Sequence, residues 1–147
     1  MGGSKIFQNA GLNVLLSAGS GTPYTPVEVY DEVTLAAVST VPIGPTNSRY
    51  GPWTSTIDMK LNKGFTVGTL NFDAYIWVLN VMDRNNALAV YESSGSAKTT
   101  NWLNTEAGQA FLAQNPGTGQ QTYDLAQTNP QLYGNPRLVR FGLRLGF

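Results

Sequence analysis

The sequence predicts an antiparallel all-β fold. It is a meander of long strands forming part of a transmembrane β-barrel closed by oligomerisation, with one short helix in a long loop. Three observations predict it. Residues 12–19, 53–63, 66–80 and 137–147 alternate apolar and polar side chains with the period of two that a strand imposes. Only 12% of residues are charged, about half the share of an ordinary soluble domain. No run of about 18 apolar residues occurs, so a bilayer would be crossed by strands and not by helices.

The first strand has Leu12, Val14, Leu16 and Ala18 on one face and Asn13, Leu15 and Ser17 on the other. It breaks at Ser20-Gly21-Thr22-Pro23-Tyr24-Thr25-Pro26, where glycine and two prolines demand a turn. Val27, Val29, Val33 and Leu35 mark a further strand opposite Glu28, Tyr30, Glu32 and Thr34. Asp31 falls on its apolar side, which puts this strand outside a membrane. Residues 41–52, with three prolines and two glycines, read as loop.

Alternation resumes with Trp53, Ile57, Met59 and Leu61 against Thr54, Thr56, Asp58, Lys60 and Asn62. Gly64-Phe65 suits a two-residue type II′ turn, which pairs Lys63 with Thr66, Met59 with Leu70 and Ile57 with Phe72. The returning strand carries Leu70, Phe72, Ala74, Ile76 and Val78 on one face and Asn71, Asp73, Tyr75 and Trp77 on the other. Beyond it, Ala87 to Tyr91 extends the strand, and Asn104 caps a short helix running to Gln114. Asn115-Pro116-Gly117 stops that helix. The last segment alternates without interruption: Val139, Phe141, Leu143, Leu145 and Phe147 against Arg140, Gly142, Arg144 and Gly146. Its length matches the roughly 9–11 residues a tilted strand needs to span a bilayer.

Composition excludes several kinds of chemistry. Nine basic and nine acidic residues cancel, so no global field recruits nucleic acid. With neither cysteine nor histidine, disulfides, thiolate chemistry, imidazole metal sites and a Ser-His-Asp triad are all ruled out. No apolar stretch follows Met1-Gly2-Gly3-Ser4-Lys5, so no signal peptide is visible, and the start reads as trimmed from a longer frame.

Several segments together resemble the C-terminal part of the barrel of TonB-dependent outer-membrane receptors. They are Ser20 to Thr25, Asn47-Ser48-Arg49 with Pro52-Trp53, and Ile57-Asp58-Met59-Lys60-Leu61 before Lys63-Gly64-Phe65. Val78 to Asn86, Asn135-Pro136-Arg137 and the terminal strand ending in Phe147 complete the set. The resemblance implies a bacterial outer-membrane location and a barrel of which the plug and most strands are lacking. Plug-gated uptake is therefore not implied. Four strands cannot close a barrel, which needs about eight or more. The expected solution is a homo-oligomer, a trimer of twelve strands, acting as a porin-like passive pore.

In that pore Asp58, Lys60, Asp73, Arg140 and Arg144 line the lumen, and Trp53, Phe65, Tyr75, Trp77 and Phe147 supply the aromatics at the membrane interface. Two other classes compete. One is a soluble receptor remnant acting as a binding or structural module. The other is a hydrolase of esters or lactones using Ca²⁺ held by Glu28, Asp31 and Glu32, whose spacing matches no EF-hand loop. No cofactor other than Ca²⁺ is suggested.

Overall fold

The computed structural model describes residues 8–30 and 39–146. In chain order its elements are β1 (Ala10–Gly19), β2 (Pro23–Tyr24), β3 (Val27–Tyr30), β4 (Ser39–Pro42), β5 (Arg49–Tyr50), β6 (Thr54–Val67) and β7 (Leu70–Leu79). Helices α1 (Glu106–Gln114) and α2 (Gly119–Ala126) and strand β8 (Leu138–Gly146) follow. The protein is mostly antiparallel β-sheet with two short helices, one more than the sequence suggested.

The chain resolves into two compact units. The first comprises Met1–Ala18, Ser55–Asn85 and Asn135–Phe147. It is built on one sheet in the order β1-β6-β7-β8, so β1 and β8 are its edges. All four long strands expected from alternation are present within two residues of their expected starts, apart from the hairpin between the middle two.

That hairpin corrects the expected register. The turn is not at Gly64-Phe65, which lie inside β6, but at Gly68-Thr69, where Val67 pairs with Leu70. Gly68 has φ +62, the conformation that the first central residue of a II′ turn requires and that glycine adopts without penalty. Met59 consequently faces Val78 instead of Leu70. The slip is eight residues, an even number, so every side chain keeps its face. The longer hairpin brings Phe65 onto Phe72, with ring centroids 5.2 Å apart and planes 10° from parallel. The shorter hairpin would forgo that stack.

Asn9 Cβ lies where a side chain on Gly64 would point, and the Asn62 carboxamide lies against Gly11. This places β1 antiparallel to β6, tied by Gly64 N–H donating to the Asn9 carbonyl at 2.8 Å. The Lys63 ammonium donates to the Gln8 carbonyl.

The second unit comprises Gly19–Thr54 and Asn86–Gly134. They pack on each other. Thr22 Oγ1 donates to the Leu88 carbonyl at 2.7 Å, and Val27 N–H to the Glu92 carbonyl at 3.3 Å. Within residues 41–52, Val41–Pro42 belongs to β4 and Arg49–Tyr50 to β5, so this stretch is not all loop. The strand expected over 27–35 is seen as β3, and its remainder lies outside the described residues. Ala87 to Tyr91 does not prolong β7; each end makes only a single bridge, Ala87 to Tyr133 and Tyr91 to Ser96.

The core of this unit is aromatic. Trp102 stacks on Tyr123 at 5.7 Å and meets Phe111 at 5.6 Å. The cap of α1 is Thr105 and not Asn104. Thr105 Oγ1 accepts from Gly108 N–H at 3.2 Å and donates to the Trp102 carbonyl at 2.7 Å, which joins the helix start to the central tryptophan. Helix α2 carries no apolar periodicity to announce it, since its only large apolar residues are Tyr123 and Leu125.

Candidate functional site

The sheet separates two chemistries. Reading β6, β7 and β8 across the ladder, one face carries the rows Met59-Val78-Val139, Leu61-Ile76-Phe141, Lys63-Ala74-Leu143 and Phe65-Phe72-Leu145. Leu12, Val14 and Leu16 of β1 continue it. Among the described residues this sheet buries no apolar side chain: Val27, Ala87, Ala97, Trp102 and Tyr123, the buried ones, all belong to the second unit. Phe141 is 75% exposed and Leu16 70%. Lys63 is the one charge on this face, and its long stem can run along apolar surface while the ammonium reaches a polar partner.

The opposite face carries Lys60-Trp77-Arg140, Asn62-Tyr75-Gly142, Gly64-Asp73-Arg144 and Thr66-Asn71-Gly146. Asp58, two residues before Lys60, shares it. The five residues expected to line a lumen therefore stand on one face.

Two aromatic rings organise the charges. Tyr75 lies across Gly142, so closely that a Cβ at 142 would overlap its ring. Lys60 Nζ sits 5.0 Å from the Tyr75 centroid and 5.9 Å from that of Trp77. Arg140 lies over Trp77 at 5.4 Å and Arg144 over Tyr75 at 5.7 Å. Each such contact is worth about 0.5–1 kcal/mol at an exposed site. Among the described residues no ion pair of Lys60, Arg140 or Arg144 with a carboxylate is seen, whereas Arg137 pairs with Asp83 at 3.9 Å.

The chain matches no known family model, no curated protein and no solved structure.

Asp58 and Asp73 sit differently. Asp58 Oδ1 accepts the Asn80 N–H at 2.8 Å, at the end of the face beside a polar knot. Asn80 is only 4% exposed and has φ +51. Its carboxamide donates to the Arg84 and Asn135 carbonyls at 3.0 and 3.2 Å and accepts from Arg84 N–H at 3.2 Å. Asp83, also at φ +51, accepts from Arg137 N–H at 2.8 Å. This knot ties the segment after β7 to the segment entering β8. No local periodicity marks this knot, although Asn and Asp are the residues that tolerate the left-handed region.

Of the expected interface aromatics, Phe65 lies on the apolar face stacked on Phe72. Trp53 is 67% exposed just ahead of β6. Trp77 and Tyr75 stand on the polar face among the cations, and Phe147 lies outside the described residues. For the hydrolase alternative, Glu28 sits in β3, while Asp31 and Glu32 lie outside the described residues. Among the described residues no group of three acidic, His or Cys side chains could hold a metal ion.

In the second unit Tyr91 Oη donates to the Gln127 carbonyl at 2.8 Å. Burial pushes the Tyr91 phenol above its ordinary value, helped by the neighbouring Tyr123 and Tyr133.

Proposed function

We propose that the chain is a porin-like passive pore of the bacterial outer membrane, a homo-oligomeric barrel related to TonB-dependent receptors. The observation that carries this reading is the sheet with no buried apolar residue among those described. A water-soluble sheet must cover its apolar face, because leaving a Val, Leu, Ile or Phe exposed forfeits about 1.5–3 kcal/mol each, and monomers rarely expose apolar patches beyond a few hundred Å². Lipid removes that cost. Strands of 10, 14, 10 and 9 residues reach the length that a tilted crossing needs, about 9–11 residues. Apolar-out, polar-in alternation is the barrel pattern.

The edges supply the oligomer. In lipid, β1 and β8 would each leave a row of outward N–H and C=O groups unpaired, at several kcal/mol apiece. Pairing β8 of one copy with β1 of the next removes both rows, by a head-to-tail contact that must close by rotation. Three copies give twelve strands and a lumen that accommodates Lys60, Arg140 and Arg144; two copies would give an eight-stranded barrel whose interior side chains fill it.

The decisive experiment is conductance across a planar bilayer, paired with the mass of the protein in detergent. Passive channels from a species of three chains are the expected outcome. A protein that stays monodisperse without detergent rejects the pore. A single-chain mass that still conducts rejects the closure. Replacing Phe141 and Leu143 with proline should abolish assembly, since proline removes ladder donors.

A further inference from the structure

The polar face of the sheet is not electrically balanced where it meets solvent. Its charges are Lys60, Arg140 and Arg144 against Asp58 and Asp73, three cations to two carboxylates. Gly11, Asn13, Leu15 and Ser17, the β1 positions on this face, add none. Exposure widens the difference. Arg140 and Arg144 are exposed, whereas both carboxylates are half-buried, and Asp58 already accepts the Asn80 N–H. The cations rest on rings and not on carboxylates. A ring holds a guanidinium in place without neutralising it, and the N–H edge stays available. That edge is a fork of donors matched to a carboxylate.

We infer that this wall makes the pore selective for small anions, with simple carboxylates as the organic class it passes. The inference rests on the pore reading above. In a closed ring the same wall repeats in every copy, so its excess of cations repeats too, and an excess of one sign lining a confined aqueous path enriches counter-ions along it. Arg140 and Arg144 determine the selectivity, and Trp77 and Tyr75 position them. Gly142 is part of the device, because a Cβ there would overlap the Tyr75 ring on which Arg144 rests.

The test is the reversal potential of the full chain reconstituted in a planar bilayer under a KCl gradient, repeated with potassium acetate. The wild type should favour chloride over potassium by a few-fold, less than the roughly 10-fold or greater enrichment of strongly charged clefts. The preference should fade as salt shortens the Debye length below its value of about 10 Å at 0.1 M. Acetate should keep the sign. The double variant Arg140→Gln/Arg144→Gln leaves one cation against two carboxylates, so its reversal potential should change sign. Arg140→Lys/Arg144→Lys should retain the chloride preference, which separates charge from any defect in assembly. Potassium preference in the wild type, or an unchanged reversal potential in the glutamine variant, overturns the inference while leaving the pore standing. If acetate does not permeate, the carboxylate assignment falls. Absence of any channel removes the pore reading itself, and the inference with it.

Discussion

Replacing Gly142 with alanine should destabilise the sheet, although alanine is ordinarily the better residue. Neither Gly142 nor Gly146 has the positive φ that would strain an alanine. At both positions the loss of unfolded-state freedom should by itself stabilise the protein by about 0.4–1 kcal/mol. The environments differ. A Cβ at 146 would meet only Asn71 Cβ and its carbonyl oxygen, both at 3.8 Å, an ordinary contact. A Cβ at 142 would overlap Cζ, Oη and Cε1 of Tyr75, so the ring must leave. Leaving breaks the contacts of Tyr75 with Lys60 and Arg144, about 0.5–1 kcal/mol each. It also imposes overpacking strain of about 1–3 kcal/mol. Set against the entropic gain, Gly142→Ala should cost about 1–4 kcal/mol, and Gly146→Ala should be neutral or slightly stabilising. Urea unfolding in detergent, followed by tryptophan fluorescence, measures both. The double-mutant cycle with Tyr75→Ala isolates the cause: the cost at 142 should largely vanish once the ring is gone. Equal stability of the two single alanine variants would refute the reasoning.

Three further outcomes are expected. Asn80→Ala removes three side-chain hydrogen bonds of a buried residue held at φ +51; at about 0.5–1.5 kcal/mol per bond it should cost roughly 2–4 kcal/mol by denaturant midpoint. Asn80→Gly should recover about 1 kcal/mol of this by relieving the left-handed strain. Thr105→Ala removes the cap of α1 and should cost about 1 kcal/mol, seen as a loss of helical circular dichroism on mild heating, while Asn104→Ala should change little. The raised Tyr91 pKa means that the folded protein holds the neutral phenol more firmly than the unfolded chain does. That contribution is fully present below the ordinary pKa of 10.0 and is lost as pH rises through the folded value. Stability should therefore fall above about pH 10, and Tyr91→Phe should flatten that fall; an unchanged alkaline slope in the variant would show that Tyr91 does not drive it.

Alternation alone marked the four long strands and their faces. A period of two is a local property, so residues 137–147 announced β8 and its split into Phe141, Leu143 and Leu145 against Arg140 and Arg144 without any partner in view. The common face of Asp58, Lys60, Asp73, Arg140 and Arg144 was legible for the same reason. Only the tertiary structure chose the turn. Gly64-Phe65 and Gly68-Thr69 are both glycine-led pairs, and nothing local separates them. The choice depends on what the whole ladder brings together, here Phe65 on Phe72 and Lys60 between Tyr75 and Trp77. The even slip preserved the faces and hid the error from any argument based on alternation. Helix α2 and the Asn80 knot were illegible for a related reason. Tyr123 is buried by Trp102, which lies 21 positions earlier in the numbering, and Asn80 is held by Asp58 and Asn135. Each depends on a partner distant in sequence, so the physical cause exists only once the chain has folded.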